Sequence, residues 1–168
     1  MKARKILVVE DQISPLDSIA YAIKKVIFDE ADALPRIGNY SSEEVEQDLR
    51  KRKIDFARCY NEAIEYLNGE GDYDLVFLDH RMPYDNQTQL EKTDSRTFSD
   101  KMQDIGYQLI PSIRKFWPNA KIIGTSSLSE VKLKEFDNPH FYLDKNSVRT
   151  IDKDLAQILR EIEEGTQK

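Results

Sequence analysis

The sequence predicts an α/β fold, a doubly wound five-stranded parallel sheet with strand order 2-1-3-4-5. Two observations lead to this class. Short, almost wholly apolar runs, typical of parallel strands that are buried on both faces, alternate along the chain with segments of helical periodicity. Right-handed crossovers between such strands then favour an open sheet with helices on both faces.

The predicted elements follow the chain in order. Strands are expected at Ile6 to Val9, Ile54 to Arg58, Leu75 to Leu78, Ile122 to Thr125 and Phe141 to Lys145. The first helix is expected to begin at Ser14-Pro15, because serine caps helices and proline suits the first helical turn. Later helices are expected at Asn61 to Asn68, Gly106 to Phe116, Glu130 to Phe136 and Val148 to Glu163. Pro111 should delay or kink the helix that contains it, because proline removes an interior hydrogen bond.

Two insertions exceed this plan. Residues 29–53 contain Ser41 followed by Glu44, the pattern of a capping box, so an extra helix is expected there, on the edge of the sheet opposite the carboxylates. We interpret this insertion as a packing or partner-binding element that is not part of the site. Residues 84–105 are polar and leave the C-terminal end of the third strand. We favour a mobile segment that partly covers the site at that edge, with simple disorder as the alternative.

Composition limits the possible classes of protein. The 168 residues, 39% of them hydrophobic, predict one domain over residues 1–168, with no output domain. The net charge of -6 gives no direct attraction to nucleic acid. No apolar run reaches the ~20 residues of a membrane span, and no signal peptide is evident, so we expect a cytoplasmic protein. Cys59 is the only cysteine, which excludes an internal disulfide.

Chemically active residues follow four of the five predicted strands. Glu10 and Asp11 follow the first, Asp79 follows the third, and Thr125 and Lys145 end the fourth and fifth. Because the C-terminal ends of parallel strands share one edge of the sheet, these side chains are expected to meet there. Mg²⁺ is commonly held by one or two carboxylates together with water and phosphate. The pattern therefore indicates a magnesium site beside a lysine and a hydroxyl.

The segment Asp79-His80-Arg81-Met82-Pro83, together with this ordered set of residues, resembles the response-regulator receiver domain. The resemblance implies a flavodoxin-like receiver fold and Mg²⁺-dependent phosphorylation of Asp79 in two-component signalling. It further implies that Asp11 and Asp79 bind Mg²⁺ directly, that Glu10 binds it through water, and that the backbone carbonyl of Arg81 is another ligand.

The resemblance also implies how the signal leaves the site. Thr125 and Lys145 would contact the phosphoryl group, and Tyr142 matches the aromatic switch position that responds to the hydroxyl. The chain would not be an enzyme in the usual sense, since it catalyses only its own phosphorylation and dephosphorylation. Implied partners are a histidine kinase or histidine phosphotransfer protein, a downstream effector protein, and a second copy of the chain. The homodimer would form through the fourth helix, fifth strand and last helix, here Glu130 to Phe136, Phe141 to Lys145 and Val148 to Glu163.

Departures from the family pattern leave alternatives open. Asn146 follows Lys145 where the family usually has proline, so the shape of that turn is open. A degenerate receiver that only binds other proteins is one alternative. A haloacid-dehalogenase-like phosphatase is another, but it needs an aspartate two residues after the nucleophile, where Arg81 stands. His80 is favoured as a structural residue over a metal ligand, because neighbours in a strand point apart.

Overall fold

The computed structural model describes residues 4–85, 102–126 and 135–165. Within these ranges the strands are β1 (Ile6–Val9), β2 (Asp55–Ala57), β3 (Leu75–Leu78), β4 (Arg81–Pro83), β5 (Met102–Asp104), β6 (Lys121–Gly124) and β7 (Phe141–Tyr142). The helices are α1 (Ile13–Val26), α2 (Ser42–Lys51), α3 (Tyr60–Asn68), α4 (Ile110–Phe116) and α5 (Ile151–Gly165). A 3-10 helix, Gly106–Leu109, leads into α4.

The described strands form a five-stranded parallel sheet in the order β2-β1-β3-β6-β7, and β4 and β5 form a separate antiparallel ribbon. Because β6 and β7 are the fourth and fifth strands of the parallel sheet, the predicted class and the order 2-1-3-4-5 are confirmed. Every residue of β1 and β3 is buried. This burial on both faces explains why these strands are continuous apolar runs.

Alternate residues of the central strands serve two separate cores. Ile6, Val8 and Phe77 pack on one face with side chains of α1, α2 and α5. Leu7 and Val76 pack on the other face with side chains of α3 and α4. The helices thus cover both faces of the sheet and leave the carboxyl edge to carry the polar side chains. Within the described ranges, no helix has the length and apolar character needed to cross a bilayer.

Several element boundaries differ from the sequence prediction. α1 begins at Ile13 with Gln12 as the capping residue, so the Ser14 cap is wrong. The Gln12 carbonyl already accepts the Leu16 N–H at 3.1 Å, which starts the helix immediately after the acidic pair. α5 begins at Ile151 rather than Val148, because a turn through residues 144–150 comes first. The helix predicted over residues 130–136 lies mostly outside the described residues.

The extra helix in the first insertion is confirmed as α2, with both halves of the capping box formed. Its Val45 and Leu49 side chains are buried in the core that α1 and α5 share. The Arg36 backbone N–H donates to Asp17 Oδ2 on α1 at 2.9 Å, so the chain between the two helices returns along α1 toward the carboxyl edge. The packing role is therefore confirmed. The predicted placement on the opposite edge is wrong for the start of α2, because the chain comes back before it enters β2.

The second insertion is anchored by the ribbon of β4 and β5, in which Arg81 pairs with Asp104 and Met82 with Gln103. The Ile105 and Gly106 N–H groups both donate to the His80 carbonyl, at 3.0 and 2.8 Å. The two described ends of the second insertion therefore lie directly beside Asp79. Residues 86–101, on which the predicted cover over the site depends, lie outside the described residues.

We expect Gly106→Ala to lower the free energy of unfolding by about 3 kcal/mol, as overpacking in a rigid site does. A Cβ atom at this position would lie 1.9 Å from the Asp79 backbone carbonyl oxygen and 2.7 Å from the Met82 methyl group. Urea denaturation measures the effect. Gly165→Ala is the matched control, because nothing lies within 4 Å of a Cβ at that position. Equal stability of the two variants would show that the close approach is not required.

Candidate functional site

The sheet register brings the acidic side chains together at the carboxyl edge. β1 and β3 pair so that Val9 lies beside Leu78, and the Asp79 N–H donates to the Val9 carbonyl at 3.1 Å. Glu10, Asp11 and Asp79 consequently converge, with one carboxylate oxygen of each within 4.8 Å of the others. The cluster predicted from the sequence therefore exists in the fold.

Burial makes this cluster electrostatically unfavourable without a cation. Glu10 and Asp79 are buried, and Asp11 is 9% exposed. Burial and the neighbouring Asp79 charge raise the pKa of Glu10 to about 8. The same two causes, in the same order, raise the pKa of Asp11 to about 6. Three carboxylates in this arrangement repel one another and favour any positive charge placed between them.

Lys145 supplies one such charge. Its Nζ donates to Glu10 Oε2 and to Asp79 Oδ2, both at 2.7 Å, in a buried setting. Burial disfavours the ammonium form, but the Glu10 and Asp79 carboxylates outweigh it and raise the pKa of Lys145. The other Asp79 oxygen, Oδ1, accepts the His80 N–H at 2.8 Å. Both oxygens of Asp79 are therefore hydrogen-bonded.

The carboxylate of Asp11 is the member of the cluster that lacks hydrogen-bond partners. Among the described residues, neither of its buried carboxylate oxygens has a hydrogen-bond partner. An unpaired buried carboxylate costs free energy unless a cation or a donor satisfies it. Hard oxygen ligands of this kind suit Mg²⁺. The residues present therefore fit the divalent ion that the sequence predicts.

The Arg81 backbone carbonyl is also available as a ligand. Antiparallel pairs alternate between hydrogen-bonded and non-hydrogen-bonded types. Because the Ile105 N–H donates to the His80 carbonyl, the neighbouring pair of Arg81 and Asp104 is of the non-hydrogen-bonded type. The Arg81 carbonyl thus points away from β5 and is not used in the ribbon. The exposed Arg81 side chain has no part in the carboxylate cluster.

Thr125 and Tyr142 occupy different environments. Thr125 follows β6 beside Asp79, and its N–H donates to the Leu78 carbonyl at 2.9 Å. Its buried hydroxyl has no hydrogen-bond partner among the described residues. Tyr142 is 51% exposed, and its hydroxyl donates to Asn138 Oδ1 at 3.3 Å. The structure therefore places Thr125 with the acidic cluster and turns the Tyr142 ring outward.

Comparison with solved structures identifies this arrangement of strands and helices. The response regulator RcsB of Salmonella typhimurium has a TM-score of 0.56 at 15% identity, covering 98% of this chain and 62% of that one. The N-terminal domain of a response regulator/sensory box/GGDEF three-domain protein of Carboxydothermus hydrogenoformans scores 0.52 at 16% identity, covering 97% and 99%. A response regulator receiver protein of Sinorhizobium medicae scores 0.50 at 17% identity, covering 93% and 96%. The chain has the receiver-domain fold.

Comparison by sequence identifies no relative. No family model and no curated protein matches it. The chain spans 62% of the length of the RcsB chain. At these identities the likeness establishes the receiver fold alone.

The turn after Lys145 is formed without the proline usual in receivers. Asp144 Oδ1 accepts the Asn146 N–H at 2.9 Å, and Asp144 Oδ2 accepts the Ser147 hydroxyl. The hydrogen bond from Ser147, followed by that from Asn146, lowers the pKa of Asp144. This Asx-type turn uses a backbone donor that proline lacks. Asn146 is therefore compatible with the observed position of Lys145.

His80 packs into the fold beside the site. It is fully buried, its Nδ1 accepts the Tyr107 N–H at 3.0 Å, and its ring packs against Phe136 and Tyr107. Burial lowers its pKa, which favours the neutral ring. The sequence-based preference for a structural histidine is supported by these contacts.

Sequence reasoning missed two residues that shape the site. Gly106 allows the backbone to approach the Asp79 carbonyl, and Arg58 donates to the Asp11 carbonyl. Arg58 could have been suspected, because it ends the predicted second strand at the same edge as Glu10. Nothing in the sequence indicated Gly106, since its role depends on the ribbon that brings the chain back to Asp79.

Proposed function

We propose that the chain is a phosphorylatable receiver that accepts a phosphoryl group on Asp79 from a histidine kinase or histidine phosphotransfer protein. One observation carries this proposal. Three clustered carboxylates lie at one edge of a receiver fold, two of them pair with a buried lysine, and the Asp11 oxygens lack partners among the described residues. A purely structural cluster would pair these oxygens, because unpaired buried charge is costly.

Glu10, Asp11, Asp79 and the Arg81 carbonyl would hold Mg²⁺. Bound there, the ion would neutralise the oxygens of the incoming phosphoryl group. Glu10 already has both carboxylate oxygens occupied, since Oε1 accepts the Gln12 N–H at 3.0 Å and Oε2 accepts Lys145. The Asp11 oxygens, which lack partners among the described residues, favour direct contact for Asp11, and the occupied Glu10 oxygens are compatible with contact through water. Asp79, whose oxygens are also occupied, would become a direct ligand once Lys145 turns to the phosphoryl group.

Asp79, Lys145 and Thr125 have different roles in the phosphoryl transfer. The carboxylate of Asp79 attacks the phosphorus in line, and the bond between phosphorus and the donor histidine nitrogen breaks. Lys145 must leave Asp79 Oδ2 to free that oxygen, and it can then donate to a phosphoryl oxygen. The Thr125 hydroxyl, which has no partner among the described residues, supplies a second donor. Hydrolysis of the acyl phosphate by water returns Asp79 to the carboxylate.

The same hydroxyl would carry the signal outward. Movement of Thr125 toward the phosphoryl group vacates space that the Tyr142 ring can enter, a shift between two populated states. Tyr142 belongs to the predicted partner-binding face, whose described part includes Phe141 to Lys145 and Val148 to Glu163. An effector protein or a second copy of the chain would recognise this face.

We expect Thr125→Ala to weaken the response of Tyr142 to beryllofluoride, a mimic of the phosphoryl group. The expected loss is most of the chemical-shift change around Tyr142, because no hydroxyl is drawn toward the ligand. NMR spectra of both forms measure it, and Thr125→Ser, which keeps the hydroxyl, is the matched control. A full parental shift in Thr125→Ala would rule out this coupling.

The proposed function is tested with acetyl phosphate and Mg²⁺. Intact mass should show the addition of one phosphoryl group to the parent chain and none to Asp79→Asn. A parent chain that gains no mass, while it keeps its fold, would favour the alternative of a degenerate receiver that acts only by binding.

A further inference from the structure

Arg58 lies directly opposite the acidic turn that follows β1. The register pairs Val9 with Ala57, and the Glu10 N–H donates to the Ala57 carbonyl at 2.9 Å. Arg58 is the next residue after β2. Its guanidinium donates to the Asp11 backbone carbonyl through Nε, at 3.2 Å, and through Nη2. Two donors of one planar group thus hold one carbonyl oxygen.

The third arm of the guanidinium binds the inserted helix. Arg58 Nη1 donates to Glu46 Oε1 on α2 at 3.0 Å, and the two side chains are 11% and 17% exposed. The Arg58 backbone N–H donates to Glu62 Oε2 on α3 at 2.6 Å. Because the guanidinium is rigid and planar, contacts on several sides fix its orientation. The position of Arg58 therefore depends on α2 as well as on the sheet.

We propose that Arg58 is a positioning residue for Asp11, and that the inserted helix α2, through Glu46, sets the affinity of the site for Mg²⁺. This rests on the proposed function and deepens it. Among the described residues, no hydrogen bond holds the Asp11 carboxylate. The position of this carboxylate therefore depends on the Asp11 backbone, whose carbonyl accepts hydrogen bonds from Arg58. Residues that orient a metal ligand in this way typically change affinity by roughly 10–100-fold.

The positive charge of Arg58 makes the direction of the change in Mg²⁺ affinity informative. A cation beside the site repels Mg²⁺, so removal of the charge alone would tighten Mg²⁺ binding. Loss of the grip on the Asp11 carbonyl would loosen the site and weaken binding. Positioning and simple electrostatics therefore predict opposite changes in the dissociation constant for Arg58→Gln.

The test is calorimetric titration of the full chain with Mg²⁺. We expect the dissociation constant to rise roughly 10-fold in Arg58→Gln. It should rise by a smaller factor in Glu46→Ala, which leaves the Asp11 contact but removes the acceptor of Arg58 Nη1. Arg58→Lys retains the charge without the fork and should also bind Mg²⁺ more weakly, which keeps the test available should Arg58→Gln not fold. Arg50→Gln is the matched control, since Arg50 also contacts Glu46, at 3.2 Å, but its side chain is 55% exposed.

A second readout needs no metal. The ¹³C resonance of the Asp11 carbonyl should move in the metal-free Arg58→Gln chain and stay in place in Arg50→Gln. An unchanged or lower Mg²⁺ dissociation constant in Arg58→Gln and Arg58→Lys, with a parent chain that binds Mg²⁺ and takes up phosphate from acetyl phosphate, would overturn this inference alone. A parent chain that binds no Mg²⁺ would overturn both the inference and the proposed function.

Discussion

Replacing Lys145 with methionine is expected to lower the free energy of unfolding of the metal-free chain by about 3–5 kcal/mol, as removal of one member of a buried ion pair does. Lys145 contacts both Glu10 and Asp79 at 2.7 Å, and its side chain is 7% exposed. Without it, the buried acidic cluster loses the ammonium group that pairs with Glu10 and Asp79. Urea denaturation in the presence of a chelator measures the change.

Mg²⁺ should restore part of the stability that Lys145→Met loses, because a bound cation replaces the missing positive charge. Lys153→Met, at an exposed position of α5, is the matched control and should change stability by less than about 0.5 kcal/mol. Equal unfolding curves for Lys145→Met and the parent chain, with no effect of Mg²⁺ on either, would contradict the electrostatic description of the site.

Replacing Asp11 with asparagine should change stability and metal binding in opposite directions. Each pKa unit corresponds to about 1.4 kcal/mol. A pKa raised from 3.8 to about 6 therefore predicts that the metal-free variant is more stable than the parent by on the order of 3 kcal/mol at neutral pH. The Mg²⁺ dissociation constant should rise by at least the roughly 10–100-fold typical of changes around metal ligands. Denaturation and calorimetry measure the two effects.

The pH dependence of Asp11→Asn provides the check on its cause. The pKa of Asp11 is higher in the folded chain than in the unfolded chain, so the folded state holds the proton more tightly. Stability of the parent therefore falls as the pH rises from about 3.8 to about 6 through this group. The advantage of the variant should appear over that window and stay constant above it. An advantage that does not vary with pH would point to packing instead of charge.

The strands were predictable because their physical signal is local. β1 and β3 are buried on both faces, and their continuous apolar sequences predict this burial. The acidic cluster was predictable for the same reason, since the carboxyl ends of parallel strands meet at one edge. That rule alone predicts the meeting of four side chains at this edge, those of Glu10, Asp11, Asp79 and Lys145.

The parts that were missed depend on contacts between distant segments. The predicted position of α2 was wrong because the chain turns back along α1 through the ion pair between Arg36 and Asp17. A single ion pair of this kind leaves no periodic pattern in the sequence. The ribbon that anchors residues 84–105 joins three-residue strands, too short for a sequence signal. The Asx-type turn at Asp144 explains Asn146 only once the side-chain contacts are known.

Chemical mapping of the acceptor tests the central claim most directly. The chain is treated with acetyl phosphate and Mg²⁺, and the acyl phosphate is then reduced with borohydride, which converts a phosphorylated aspartate to homoserine. Peptide mass spectrometry should find homoserine at position 79 in the parent chain, and none when Mg²⁺ is replaced by a chelator. Homoserine at Asp11 or at another carboxylate, or a folded parent chain that yields none, would contradict the assignment of Asp79 as the phosphoryl acceptor.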